Sequence, residues 1–199
     1  RSTLFPYTTL FRSALASNRL LKDLNHASLS DPRVHVVNDD AFTYVRDSNA
    51  AYDVVLIDLV DPSNEKLAKL YSTEFYRHVE ARLAPEGVMV TQATSTFFSP
   101  HAFSTVASTV AAAQPDRQIL PFSTNIPSFG EWGFVLSTKM PQNLISRPLP
   151  EGLTYQDRAT LEFIMRTKPA RTETMEPSTL LHPRIVEVYN RDMRQWRYY

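Results

Sequence analysis

Asp58 and Asp61 stand three residues apart in the stretch Tyr52-Asp53-Val54-Val55-Leu56-Ile57-Asp58-Leu59-Val60-Asp61-Pro62. Two carboxylates so spaced can attract a cation, and one of them can accept a proton from a reacting group. Their position gives the pair its weight. Val54 to Ile57 are four consecutive apolar residues, mostly β-branched, and Asp61, Pro62, Ser63 and Asn64 form a turn after them. A short apolar run bounded by such breakers reads as a strand over Asp53 to Asp58, buried on both faces of a parallel sheet. Ligands of open α/β sheets bind outside the carboxyl ends of the strands, where Asp58 and Asp61 emerge. Gln92 ends another such run, Val88-Met89-Val90-Thr91-Gln92, and is expected on the same side. Taken alone, Asp61 before Pro62 serves equally well as a turn or capping residue.

The bulk composition narrows the chemistry. With 199 residues there is enough chain for one sizeable core. Lys+Arg and Asp+Glu both number 21, so net charge gives no reason to expect a nucleic-acid partner. The absence of cysteine removes disulfides, thiolate metal sites and thiol catalysis together. The five histidines show no metal-ligand spacing, so no metal site is expected. No apolar run is long enough to span a bilayer. Four glycines, at 87, 130, 133 and 152, cannot make a Gly-rich phosphate loop. The fourteen prolines are densest from Pro141 onward, which predicts an irregular C-terminal third.

The elements that must position the carboxylates follow from periodicity. Leu20, Leu21, Leu24 and Leu29 have helical spacing within 14–29, ending near Asn25-His26. Val34, Val36 and Val37 make a strand, and Ala41 to Val45 a short helix that Asp39 or Asp40 can cap. After the Asp-Pro turn, Leu67 and Leu70 open a helical stretch; Ser72 starts a second helix with Phe75, Val79 and Leu83 on one face. Pro85-Glu86-Gly87 reads as a turn before the Val88–Gln92 strand. Pro100 suits the first turn of a helix carrying Phe103, Val106 and Val110. Ile119 to Phe122 and Trp132 to Leu136 read as two further strands, with Trp132 and Phe134 as core. Helices are expected over Thr154 to Met165 and His182 to Trp196, the latter with Ile185, Val188 and Tyr189 on its apolar side. The order defines an α/β protein: a partial doubly wound, Rossmann-like methyltransferase-type sheet with a terminal antiparallel hairpin and a helical C-terminal tail.

Four short motifs, in order, resemble the spermidine synthases, the polyamine aminopropyltransferases. They are Asp39-Asp40-Ala41-Phe42; Asp58-Leu59-Val60-Asp61-Pro62, an Asp-x-x-Asp-Pro; Leu70-Tyr71-Ser72-Thr73-Glu74-Phe75-Tyr76; and Pro127-Ser128-Phe129-Gly130-Glu131-Trp132-Gly133-Phe134. The Glu-Trp variant is most similar to the branch that carries a membrane-embedded N-terminal domain, and Thr179-Leu180-Leu181-His182-Pro183 resembles that branch's tail. The resemblance covers 14–139, read as part of the catalytic domain, with 140–199 as a Pro-rich linker and helical extension. Thr3 to Ser13, aperiodic, resembles the translation of a common short-read sequencing adapter, so 1–13 is set apart from fold reasoning.

The resemblance implies transfer of an aminopropyl group from decarboxylated S-adenosylmethionine, as co-substrate, to a diamine such as putrescine, with methylthioadenosine leaving and no permanently bound cofactor. It makes Asp58 the base, and Asp61, Gln92, Tyr71 and Glu131 the amine-side contacts. Asp39, Asp40, Ala41, Leu59 and Leu70 fall on the nucleoside side. From the residues alone, Asp39 and Asp40 serve equally as an N-cap pair, Tyr71 as helix packing, and Glu131 on the exposed side of its strand. The implied partners are a diamine and a sulfonium nucleoside, in the cytoplasm; a homo-oligomer is compatible, as is a parent anchored at the inner face of the membrane. The family's Gly-rich loop and ribose-binding acid would lie before residue 14, so this chain is expected to be inactive alone. A methyltransferase of the same fold and a non-catalytic polyamine-binding domain stay open as alternatives.

Overall fold

The structure, a computed structural model, describes residues 2–4, 16, 19–140, 148–153, 157–167 and 172–196. They fall into two compact units, 1–48 and 49–199.

In the first unit, strand β1 (Ser2–Leu4) pairs in parallel with β2 (Val34–Val36). The aperiodic leader therefore contributes three residues of strand. Helix α1 (Lys22–Asn25) ends where His26 takes a left-handed φ of 51°. Helix α2 (Ala41–Asp47) starts at Asp40, whose carboxylate accepts from Thr43 N at 3.0 Å. The capping role read for this residue is met; Asp39 accepts instead from the backbone N of Asp40, at 2.7 Å.

The second unit is built on a four-stranded sheet in the order β3 (Tyr52–Ile57), β4 (Leu83–Ser95), β6 (Gly130–Thr138), β5 (Gln118–Ile126). β3 and β4 are parallel and so need a crossover. Helix α3 (Glu65–Ala68), the 3-10 turn Lys69–Tyr71 and helix α4 (Thr73–Glu80) supply it. The helix starts where expected, and the Ser72 hydroxyl caps α4 on Phe75 N at 3.2 Å. Leu83 does not extend the face of α4. It opens β4 opposite Tyr52, and Pro85-Glu86-Gly87 becomes an irregularity within a longer strand, because pairing resumes at Val54 with Val88. β5 and β6 form the expected hairpin, turned at Gly130, whose φ of +75° favours glycine.

One expectation fails. β3 is not buried on both faces: Val54 is 56% and Leu56 74% exposed, whereas Ile57 is buried. β3 forms the sheet's edge, and among the described residues only the face bearing Val55 and Ile57 is covered. A continuous apolar run cannot distinguish that arrangement from a two-sided core strand.

The core lies between the sheet and helix α5 (Pro100–Ala113). Phe103, Val106 and Val110 have no exposed surface, as their spacing predicted. Each such side chain contributes roughly 1.5–3 kcal/mol by leaving water. The Ser and Thr residues of α5 do something else. Ser104 Oγ, Ser108 Oγ and Thr109 Oγ1 accept from the backbone N of Glu173, Met175 and Ser178 at 3.2, 2.9 and 2.9 Å. This row of hydroxyls fastens the C-terminal segment along the helix. Helix α6 (Arg158–Arg166) lies before that segment and α7 (Arg184–Arg194) after it. Residues 154–156, the start of the helix expected at Thr154, lie outside the described residues.

Candidate functional site

The loop that carries both carboxylates leaves β3 at Ile57 and is held by its own carbonyls. Gln92 Nε2 donates to Leu59 O at 2.6 Å, and Tyr71 Oη donates to Val60 O at 2.9 Å. The two holders are themselves joined, Gln92 Nε2 to Tyr71 Oη at 2.8 Å. On its other side Gln92 Oε1 accepts from Thr94 N at 2.8 Å and from Trp132 Nε1 at 3.1 Å. A primary amide has two donors and two acceptor lone pairs, so every position on Gln92 is engaged by protein groups. Gln92, expected on the amine side, also serves as a strut that sets the height of the Asp58–Asp61 loop. Tyr71, fully buried, is a second strut. Burial pushes its phenol well above the usual range, so it stays protonated and keeps donating.

The local backbone is shaped to allow this. Pairing of β4 with β6 slips between Gln92 and Ser95, and Thr94 takes a left-handed φ of 68°, rare for a β-branched residue. That twist presents Thr94 N to the Gln92 carbonyl oxygen. Trp132, read as core, is half-buried and belongs to this group. Its neighbour Glu131 does not. Side chains alternate along a strand; Glu131 is exposed and accepts from Ser123 Oγ at 2.7 Å across the hairpin.

The two carboxylates have different settings. Asp58 is exposed and makes no side-chain hydrogen bond among the described residues. Asp61 is half-buried: Oδ2 accepts from the Tyr189 hydroxyl of α7 at 2.8 Å, while Oδ1 is buried without a partner among the described residues. Burial raises its pKa, and the Tyr189 hydroxyl is the larger of the influences that pull it back. A buried acceptor left unpaired costs about 1–3 kcal/mol, and a cationic N–H donor would satisfy it. Leu59 takes part through its backbone, and Leu70 is buried beside Tyr71. Asp39, Asp40 and Ala41 belong to the first unit, where Asp40 and Ala41 begin α2. Tyr189 is the functional candidate that sequence reading placed only on an apolar face. Among the described residues no group of His, Asp and Glu has the makings of a metal site.

The raised carboxyl makes a stability prediction. The native state binds the Asp61 proton more readily than the unfolded chain, so stability falls as pH rises through the window between its ordinary and its raised value. Asp61→Asn is therefore expected to raise stability at neutral pH, by roughly 1–2 kcal/mol, and to lose that advantage below the ordinary carboxylate range. Urea unfolding of both proteins across pH measures it; a pH-independent difference would contradict the assignment.

A parallel crossover unit with two carboxylates just beyond one strand end defines an α/β protein with an acidic candidate site. Comparison with known families makes this specific: residues 16–147 match the spermine/spermidine synthase domain, and the chain belongs to that family. It is 42% identical over 183 residues to polyamine aminopropyltransferase 1 of Streptomyces coelicolor, covering 90% of this chain and 33% of the relative. It is 40% identical over 181 residues to the polyamine aminopropyltransferase of Mycobacterium tuberculosis, covering 87% and 33%. The chain thus spans about a third of the length of these relatives. The crystal structure of spermidine synthase from Thermotoga maritima superposes with a TM-score of 0.68 at 20% identity, over 84% of this chain and 57% of that one. A spermidine synthase solved with the transition-state analogue AdoDATO gives 0.69 at 21%, over 84% and 58%. These two likenesses establish the fold.

Proposed function

We propose that the protein to which this chain belongs transfers an aminopropyl group from decarboxylated S-adenosylmethionine to a diamine such as putrescine. The observation that carries this reading is Asp61 Oδ1, a buried carboxylate oxygen with no partner among the described residues, three residues from the exposed Asp58. An alkylamine is protonated at neutral pH and must lose a proton before it can attack. In this reading Asp61 holds the ammonium and Asp58 takes the proton. The nitrogen lone pair then attacks the carbon beside the sulfonium; the C–S bond breaks, its electrons return to sulfur, and methylthioadenosine leaves. Gln92, Tyr71 and Trp132 act by holding the loop at one height, which matters because in-line attack depends on placement as much as on basicity. Asp39, Asp40, Ala41, Leu59 and Leu70 serve the nucleoside side. The reading places the reaction in the cytoplasm; among the described residues no helix is long and apolar enough to cross a membrane.

Calorimetric titration with putrescine and with methylthioadenosine, on the chain and on Asp58→Asn, tests this. Putrescine is expected to bind, and Asp58→Asn to weaken it about tenfold, the loss of ~1.4 kcal/mol. A folded chain that binds putrescine no better than it binds an uncharged diol of equal length would refute the amine site.

A further inference from the structure

Helix α7 reaches the acidic loop from far along the chain, and it does so twice. Tyr189 Oη donates to Asp61 Oδ2 at 2.8 Å across 128 residues, and Asn190 Nδ2 donates to Ser63 O at 3.3 Å across 127. The helix is itself held rigidly. Ile185, fully buried, and Asp192, 3% exposed, flank Tyr189 at helical spacing on one face. Asp192 Oδ2 accepts from the backbone N of His101 and Ala102 at 2.9 and 3.0 Å, while its Oδ1 meets His101 Nδ1 at 2.8 Å. Tyr189 is thus delivered by a helix anchored in the core on either side of it.

We propose that Tyr189 is a positioning residue for Asp61: its hydroxyl fixes Oδ2 and leaves Oδ1 as the oxygen that receives a cationic amine. This rests on the reading of Asp61 as the amine-holding carboxylate. A carboxylate free to rotate would exchange its oxygens and could turn either toward bulk water. With Oδ2 tied, Oδ1 is left buried and without a hydrogen-bond partner among the described residues. Tyr189 on α7, Tyr71 on the 3-10 turn and Gln92 on β4 surround Asp61; Asp58 lies three residues back, and Glu65 and Lys66 of α3 are exposed. The hydroxyl also favours the ionised carboxylate, the form that attracts a cation. The C-terminal helix becomes part of the site.

The test is putrescine titration of the chain, Tyr189→Phe, Asp61→Asn and the double variant, with Asp61's carboxyl resonance followed against pH by NMR. Tyr189→Phe keeps the ring and removes only the donor. It is expected to weaken putrescine roughly three- to tenfold at neutral pH. The Asp61 carboxyl should titrate at higher pH in that variant, so binding is lost at a higher pH as acid is added. In the Asp61→Asn background the same change should add nothing, since Tyr189 acts through Asp61. Equal binding by wild type and Tyr189→Phe, or an equal loss with and without Asp61, overturns the positioning role while the amine site stands. Should the wild type itself bind no putrescine, the amine reading fails. The proposal that Tyr189 delivers Oδ1 to an amine falls with it, and the carboxyl titration then reports only whether Tyr189 holds the carboxylate.

Discussion

Gly133→Val is expected to be the most damaging single substitution within the hairpin, lowering stability by about 3 kcal/mol or more. A Cβ at this position would lie 2.4 Å from Cδ2 and 2.6 Å from Cε2 of Phe103, and 3.0 Å from Thr94 O. Neither neighbour can give way. The Phe103 ring is fully buried on α5 against the sheet, and Thr94 is held in its left-handed conformation beside Gln92. Glycine is needed here for close approach of the helix to the strand rather than for an unusual φ. Even Gly133→Ala should cost about 1–3 kcal/mol. Pairing it with Phe103→Leu, which vacates the ring's edge, should recover part of the loss. Chemical unfolding of the three proteins decides the matter: an alanine variant as stable as the parent would show that the ring can move. Because Trp132 precedes Gly133 and holds Gln92, the same substitution should also loosen the acidic loop.

Asp192→Ala is the second. Helix α5 begins at Pro100 with no cap from Ser99, whose side chain turns instead to Thr94 Oγ1 and Ser95 O at 2.9 and 3.1 Å. The first free N–H groups of the helix, those of His101 and Ala102, find their acceptor 90 residues away in Asp192. The arrangement does the work of an N-cap with a full negative charge at the positive end of the helix dipole. Removing it strands the buried Ala102 donor, the part-buried His101 donor and the His101 ring bond, at a cost of about 2–3 kcal/mol. For a chain of this size that lowers the melting temperature by on the order of 5–10 °C. Asp192→Asn keeps one acceptor and should cost less. Hydrogen exchange should also show faster opening of α7 and of the segment held by the α5 hydroxyls. A melting temperature unmoved by Asp192→Ala would mean that water caps α5 equally well.

Most local structure was legible in the residues. The Asp40 and Ser72 caps, Pro100 at the start of α5, the Phe103-Val106-Val110 face and the β5–β6 hairpin all follow from short-range rules, because the groups that satisfy one another lie within a few residues. The placement of Asp58 and Asp61 after a strand followed from the same logic. For Glu131 the sequence left both faces open, because alternation assigns Trp132 and Glu131 to opposite faces without saying which face meets Gln92.

The roles within the site were a tertiary matter. That Gln92 is filled by Leu59, Tyr71, Thr94 and Trp132 depends on four segments meeting, and no one of them announces the others. Tyr189 had a faint signal: a tyrosine and an aspartate three residues apart on the inward face of a helix both need partners once buried. Which partners they find is set by the path of the chain along α5. Short-range hydrogen bonding and apolar periodicity wrote the elements and the acidic pair into the sequence. The bond that divides the two oxygens of Asp61, one held and one bare, joins residues 128 apart and exists only when the last helix has docked.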